Sequence, residues 1–218
     1  MLGKILDTVI GGLIRNMPGG AGQRIRALYW RCRFRSCGRV KIDEGVIFHN
    51  PGQIEIGDNV WIMAYSVLTA PAGDPTGLNE CKNISDNSHR VLKIGDEVQV
   101  GLYNVINATG GLTICDCVTL SARVSIYSAT HLPRNPDDFA AQVGCNGMVR
   151  RYPVFSKQRS ITIGEGAWLG LHSVVICCDV GAHAFVTSGT ILARDLREGM
   201  QALPDGTSRP RYREGAST

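Results

Sequence analysis

A six-residue repeat runs through most of the chain and restricts its fold more than any other feature. Large aliphatic residues recur every sixth position in five triplets, and at nine of ten places the residue four positions later is small or β-branched. This combination is the hexapeptide signature of a parallel β-helix. The fifteen aliphatic positions are Ile56, Ile62, Leu68, Ile94, Val100, Ile106, Ile114, Leu120, Ile126, Ile163, Leu169, Val175, Val180, Val186 and Leu192.

The repeat predicts an all-β fold. Three hexads close one triangular coil, and each aliphatic side chain points to the axis and stacks on its equivalent in the next coil. The residue four positions later must fit a corner that is crowded by backbone. Seven glycines are expected at turns, where the backbone must be permissive. They are Gly57, Gly95, Gly101, Gly164, Gly170, Gly181 and Gly189.

Composition limits the class of protein. The 218 residues suffice for one domain with appendages, and a net charge of +4 suggests no dedicated nucleic-acid partner. Asp7 interrupts the first apolar stretch, which makes that stretch a poor signal peptide. Four cysteines fall inside the coil pattern without metal-ligand spacing, so we expect a reduced, cytoplasmic, metal-free chain. These four are Cys115, Cys117, Cys177 and Cys178.

The N-terminal segment has a different pattern. Apolar residues over 1–17 follow i, i+3, i+4, i+7 spacing and predict an amphipathic helix. The Pro-Gly-Gly at 18–20 ends it, and a second helix is expected over 24–34. Two interpretations stay open. The first helix covers an end of the β-helix or packs on a sister subunit, or residues 1–41, rich in arginine, contact a membrane peripherally.

The repeat also predicts the organisation of the chain. Coils begin near Val40, two loops protrude from them, and the tail from Leu203 onward is expected to be partly ordered at best. The predicted segments are a helical segment at 1–38, the β-helix at 39–200 with loops at 71–92 and 132–160, and a tail at 201–218.

His131 is the candidate catalytic residue. It closes the third regular coil, where the chain leaves rigid strands for the second loop. Imidazole titrates near neutral pH and can take a proton from a hydroxyl that attacks an acyl group. Asp137 and Asp138 are close enough in sequence to orient its second nitrogen, although a backbone carbonyl would also serve. The alternative is a surface histidine at a loop entrance.

Several segments resemble the left-handed β-helix acetyltransferases, in particular the sugar and polysaccharide O-acetyltransferases of the maltose, galactoside and colanic-acid type. The resemblance covers about residues 20–200 and is carried by the coils and by the segments 28–34, 54–62, 126–131 and 161–174. It implies a left-handed parallel β-helix, a homotrimer, and acetyl-CoA bound between neighbouring subunits. It also implies that His131 is the general base.

The resemblance implies further site residues. Trp168 and Gly170 would flank the pantetheine arm, Ser188 and Gly189 would present backbone to it, and Arg194 would meet a phosphate. The acceptor-binding asparagine of galactoside-type enzymes matches Gly101 here. Either Asn104 or Asn107 replaces it, or the acceptor differs. The candidate acceptor-binding residues are Asn104, Asn107, Asp137 and Asp138.

The expected reaction is transfer of an acetyl group from acetyl-CoA to a sugar hydroxyl, in surface polysaccharide biosynthesis and without a metal. The expected location is the cytoplasm, with attachment to the inner face of the membrane as the alternative. Three other functions stay open. They are an N-acetyltransferase of an amino-sugar nucleotide, a β-helix acetyltransferase that modifies an antibiotic, and a non-catalytic scaffold.

Overall fold

The computed structural model describes residues 2–71, 90–132, 137–138, 144 and 155–212, with backbone alone at 2–8 and 155. Two helices, α1 (Leu2–Arg15) and α2 (Gly19–Arg31), precede the strands, and a 3₁₀ turn spans Pro51–Gln53. The strands are β1 (Ser36–Cys37), β2 (Val40–Ile42), β3 (Ile47–His49), β4 (Ile54–Ile56), β5 (Val60–Ile62), β6 (Val67–Thr69), β7 (Leu92–Ile94), β8 (Gln99–Val100), β9 (Val105–Asn107), β10 (Leu112–Ile114), β11 (Thr119–Leu120), β12 (Ser125–Tyr127), β13 (Ala129–Leu132), β14 (Phe155–Gln158), β15 (Ile161–Ile163), β16 (Trp168–Leu169), β17 (Val174–Ile176), β18 (Phe185–Val186), β19 (Ile191–Leu192), β20 (Met200–Ala202) and β21 (Ser208–Pro210).

The strands form three sheets that the chain visits in rotation. Sheet A has the order β1-β4-β7-β10-β15, sheet B the order β2-β5-β8-β11-β16-β18-β20-β21, and sheet C the order β3-β6-β9-β12-β17-β19. All neighbours within the sheets are parallel except β20 and β21. The predicted parallel β-helix is confirmed as a prism with three faces.

The pairing register shows why the sequence repeat produces this core. Ile114 pairs with Ile94 on one side and Ile163 on the other, so equivalent hexad positions stack from coil to coil. Fourteen of the fifteen predicted aliphatic positions are buried, and Leu192 is half-buried. Burial of each such side chain stabilises the fold by roughly 1.5–3 kcal/mol. The stacked aliphatic columns therefore form one continuous core along the prism.

The role expected for the glycines needs correction. Only Gly189 of the seven has a left-handed φ, at +75°. At the other six, an added Cβ would lie within 2.7 Å of an atom in the next coil. Close approach between coils, rather than a turn conformation, therefore requires glycine there. Left-handed backbone does occur at the corners of successive coils, but mainly at residues other than glycine. Asn59 and Glu97 occupy equivalent positions at one corner, and Tyr65 and Tyr103 at another.

The second helix and the turn that follows it cover the first coil. Trp30 and Phe34 each place their ring centroid 4.9 Å from that of Phe48, and the buried Arg26 donates from Nε to the Ile42 carbonyl at 2.9 Å. This helix starts at Gly19, earlier than the predicted residue 24. Only three residues separate the helices, and the chain turns there through the extended backbone of Pro18 and the left-handed backbone of Gly19.

The first helix lies where its sequence predicts it but does not cover the core. Its Gly11 approaches Tyr29 of α2 so closely that an added Cβ would lie 2.7 Å from the phenolic oxygen. The Gly45 amide donates to the Arg15 carbonyl at 2.9 Å. The helix therefore packs on α2, one layer outside the prism. No helix in the described ranges is long and apolar enough to cross a membrane.

The C-terminal segment is more regular than the sequence predicts. Leu196 and Ala202 extend the buried core beyond Leu192, and the antiparallel pair β20–β21 continues sheet B. Of the predicted tail from Leu203 onward, residues 203–212 are described and include β21. Pairing of Gln201 with Phe185 holds this segment on the last coil. Residues 213–218, and most of the loops at 71–92 and 132–160, lie outside the described residues.

Candidate active site

Both predicted loops leave the prism at the same corner. The first connects β6 of sheet C to β7 of sheet A, and the second connects β12 of sheet C to β15 of sheet A. Arg90, at the end of the first loop, donates from Nη1 to Oε1 of Gln158 in β14 at 3.1 Å. The two excursions therefore meet at the corner between sheets C and A, which we call the loop corner.

His131 lies on a hairpin that projects from the loop corner. Strands β13 and β14 pair antiparallel, and His131 is opposite Ser156. The His131 side chain is exposed, and within the described ranges no residue forms a hydrogen bond with its imidazole. Asp137 and Asp138, both exposed, therefore form no such orienting hydrogen bond in this structure. The ladder fixes the backbone of His131 while its ring remains available to a substrate.

The root of this hairpin is tied to two earlier coils. The Arg159 amide donates to the carbonyl of the buried Ser128 at 2.9 Å. The Ser128 hydroxyl donates to the Asn107 carbonyl at 3.1 Å and accepts from the Gly110 amide at 2.8 Å. These bonds set the point at which β13 leaves the prism, three residues before His131.

The side chain of Arg159 ties the same root to the last coils. Its Nη1 donates to Oδ1 of Asp195 at 2.7 Å, and its Nη2 contacts Asp179. The hydrogen bond from Arg159 holds the pKa of Asp195 below its usual value, and the same bond raises the pKa of Arg159. Both groups therefore stay charged at neutral pH. Sequence analysis missed Arg159 because its two carboxylates follow it by 20 and 36 positions with no shared pattern.

Arg90 is a second residue that sequence analysis missed. Its Nη2 is buried and has no hydrogen-bond partner in the part of the chain that the structure describes. Its contact Gln158 pairs with Ala129, two residues before His131. No signal in the sequence marks it, since Arg90 lies at the edge of a polar loop.

The predicted donor-binding residues lie on other parts of the prism. Trp168 is exposed on sheet B, with Nε1 donating to Oγ of Ser121 at 2.9 Å and its ring centroid 5.0 Å from that of Phe185. Gly170 lies so close to the next coil that an added Cβ would be 2.6 Å from the Ser188 amide nitrogen. The Gly189 amide donates to the Leu171 carbonyl at 2.8 Å.

The predicted site residues therefore form two groups in one chain. Gly170, Ser188 and Gly189 meet at the corner between sheets B and C, beside Trp168. The exposed Arg194 follows sheet C and precedes Asp195, the partner of Arg159, and so lies on the side of the loop corner. His131 belongs to this second group. A single chain does not bring Trp168 and His131 onto one face.

One predicted acceptor-binding residue is corrected by the structure. The Asn104 side chain is completely buried, and its Oδ1 accepts a hydrogen bond from the Val124 amide at 2.7 Å. Asn104 therefore holds a coil corner and cannot reach an acceptor. The half-buried Asn107 accepts hydrogen bonds at Oδ1 from the Thr109 amide and hydroxyl. Its predicted role, like those of Asp137 and Asp138, stays a prediction.

The cysteines of the coils are poorly suited to nucleophilic chemistry. Burial raises the pKa of Cys178 to about 11, and it also raises the pKa of Cys177 and Cys115 above the usual value. A thiol reacts as its thiolate, so these groups are mainly in the unreactive form at neutral pH. Among the described residues no group of three or more His, Cys, Asp or Glu is arranged to hold a metal ion.

Exposed apolar side chains are concentrated on sheets B and C and on the corner between them. Sheet A instead presents Glu55, Lys93, Thr113 and Thr162 on its outer side. An apolar surface of this extent commonly marks an interaction site. The exposed apolar residues of this band are Trp61, Tyr65, Leu102, Tyr103, Val105, Trp168, Leu171 and Ile191.

The known proteins that this chain resembles in sequence or in fold include several acyltransferases. No family model matches the chain. The dTDP-4-amino-4,6-dideoxy-D-glucose acyltransferase of Escherichia coli is 32% identical over 144 residues, which cover 66% of this chain and 63% of that relative. The match thus spans less than two thirds of the relative's length.

Two solved structures share the fold. AntD, an N-acyltransferase from Bacillus cereus in complex with dTDP and 3-hydroxybutyryl-CoA, superposes with a TM-score of 0.65 at 18% identity, over 85% of this chain and 86% of that one. A maltose O-acetyltransferase from Clostridium difficile 630 gives a TM-score of 0.55 at 14% identity, over 94% and 82%. At these identities the likeness shows the fold alone.

Proposed function

We propose that the chain is an acyltransferase that moves an acyl group from a coenzyme A thioester to a sugar or a sugar nucleotide. The 32% identity with an acyltransferase named for an amino-sugar nucleotide carries this proposal. Two further observations support it. The fold is shared with AntD, whose complex contains an acyl-CoA, and His131 is exposed on a paired hairpin. Acetyl-CoA is the first donor to test.

The acceptor that we favour is the amine of a nucleotide-linked amino sugar. The name of the Escherichia coli relative specifies such a sugar, and AntD is an N-acyltransferase. The second candidate is a sugar hydroxyl in polysaccharide biosynthesis, which the hexapeptide resemblance implies. We place either reaction in the cytoplasm.

In the proposed mechanism His131 is the general base. Its imidazole takes the proton from the acceptor nitrogen or oxygen as that atom attacks the thioester carbonyl. The tetrahedral oxyanion is stabilised by backbone amides at a coil turn. When the intermediate collapses, the carbon–sulfur bond breaks and the imidazolium returns the proton to the departing thiolate. The acyl group ends as an amide or an ester, and free coenzyme A is released.

The first test is release of coenzyme A from acetyl-CoA in the presence of matched acceptors. We expect turnover with dTDP-4-amino-4,6-dideoxy-D-glucose and at least tenfold less with the same sugar nucleotide bearing a 4-hydroxyl, because a neutral amine is the better nucleophile. The reverse ranking would favour the O-acetyltransferase. Binding of acetyl-CoA without turnover of any sugar acceptor, or no binding, would contradict the proposal and favour a scaffold.

We infer that three left-handed prisms associate, with the donor between neighbours. The apolar band on sheets B and C supports this assembly, and so does the separation of Trp168 from His131 within one chain. We expect sedimentation at the mass of three 23.6 kDa chains. Val105→Lys, in the band, should reduce this mass, whereas Thr113→Lys, on the outer side of sheet A, should not. A wild-type protein that sediments as one chain would contradict the trimer.

A further inference from the structure

The first helix leaves an apolar face uncovered. The end of the prism is already closed by Trp30 of α2 and by Phe34, three residues beyond that helix, which both pack against Phe48. Helix α1 lies outside α2, and its side chains Val9 and Leu13 are 54% and 68% exposed, with Ile10 exposed beside them. Residues four apart lie on one face of a helix. This face therefore contributes nothing to the core of the chain and is available to a partner.

The second helix extends the same kind of surface and adds charge to it. Leu28 is 66% exposed and lies between the exposed Arg24 and Arg31 on the outer side of α2, with Ile25 also exposed. The opposite side of this helix carries the buried Gly22 and Arg26. Apolar and cationic side chains thus alternate on the solvent side of the end cap, which we define as residues 1–41.

The charge of the chain is concentrated in this end cap. Residues 1–41 contain nine of the 23 basic residues and one of the 19 acidic ones, so the end cap has a formal charge of +8. The rest of the chain has a formal charge of −4, although the net charge of +4 gives no sign of this division. Part of this charge does not face a partner: Arg26 is buried, and Arg35 and Arg39 lie 3.3 and 3.7 Å from Glu55 and Asp58. The exposed Arg24 and Arg31, beside exposed apolar side chains, are suited to an anionic, partly apolar partner.

We propose that the end cap binds the surface of an anionic lipid bilayer, with α1 lying in the interface plane. Arginine side chains would contact the headgroups, and Val9, Leu13 and Leu28 would enter the boundary with the acyl chains. A second copy fits this surface less well, because two end caps of charge +8 repel each other. A nucleic acid would satisfy the arginines but would leave the apolar face of α1 in water.

Co-sedimentation of the full chain with vesicles tests this proposal. We expect at least tenfold more bound protein with phosphatidylcholine–phosphatidylglycerol vesicles than with phosphatidylcholine alone, and a loss of binding as salt is raised. The double variant Val9→Ser, Leu13→Ser and the double variant Arg24→Glu, Arg31→Glu should each lower binding at least fivefold. Arg197→Glu, an exposed change near the other end of the prism, is the matched control.

Other outcomes would overturn the proposal. Equal pelleting with the two kinds of vesicle would remove the anionic lipid as the partner. Unchanged pelleting of the Val9→Ser, Leu13→Ser variant, together with a smaller sedimenting mass, would assign the face of α1 to a second copy. Binding to double-stranded DNA that exceeds vesicle binding would assign the arginines to nucleic acid. Acyl transfer is measured separately, so failure of one proposal does not imply failure of the other.

Discussion

His131→Ala is expected to lower kcat for acyl transfer by about 10²–10⁴-fold and to leave the Kd for acetyl-CoA nearly unchanged. The ring is exposed and forms no hydrogen bond with the described residues, so its removal should cost the fold little. The donor contacts that we propose, at Trp168 and Ser188, lie on other parts of the prism. Steady-state kinetics and calorimetric titration with acetyl-CoA measure the two quantities independently.

The matched control is His49→Ala. His49 is also an exposed histidine on a strand. It lies in β3 of the first coil, which pairs parallel with β6, and not on the hairpin that carries His131. We expect kcat for this variant within about a factor of two of wild type, since surface substitutions away from a site have small effects. If His131→Ala turned over at the wild-type rate, His131 would not be the general base, whatever the identity of the acceptor.

The core could be predicted from the sequence because one physical requirement fixes it. Each hexad must place an aliphatic side chain on the axis, and the strand register pairs Ile94 with Ile114 and Ile114 with Ile163. The same rule places the residue four positions later inside a corner, and all ten such residues are buried. Asn104 occupies one of these positions. Its burial follows from the repeat, and the acceptor-binding role suggested by the resemblance was the weaker argument.

The site was less predictable because its parts are joined by contacts between distant positions. The repeat predicts that two loops interrupt the coils, but only the sheet order shows that both leave from one corner. Arg159 contacts Asp179 and Asp195, and Arg90 contacts Gln158, across separations that no periodic pattern encodes. The end cap was predicted in part. The amphipathic pattern indicates α1, whereas its packing outside α2 depends on the tertiary contact of Gly11 with Tyr29.

Gly164→Ala is expected to lower the free energy of unfolding by about 3 kcal/mol, because it overpacks the contact between coils. An added Cβ would lie 2.4 Å from the Ala182 amide nitrogen and 2.7 Å from the Gly181 carbonyl carbon. Both atoms belong to the backbone of the next coil, so the clash can be relieved only if that coil moves away. Such a movement would weaken the hydrogen bond from the Gly164 amide to the Val180 carbonyl, which is 2.7 Å long.

Gly52→Ala is the control that separates this contact from the general effect of replacing glycine. No atom lies within 4 Å of an added Cβ at Gly52, and its φ is not left-handed. We expect this variant to be neutral or more stable by up to about 1 kcal/mol, since alanine lowers the entropy of the unfolded chain. Urea unfolding followed by circular dichroism, at one protein concentration, measures both variants. Equal stabilities of the two variants would contradict the prediction, because they would mean that the adjacent coils have room for a methyl group at Gly164.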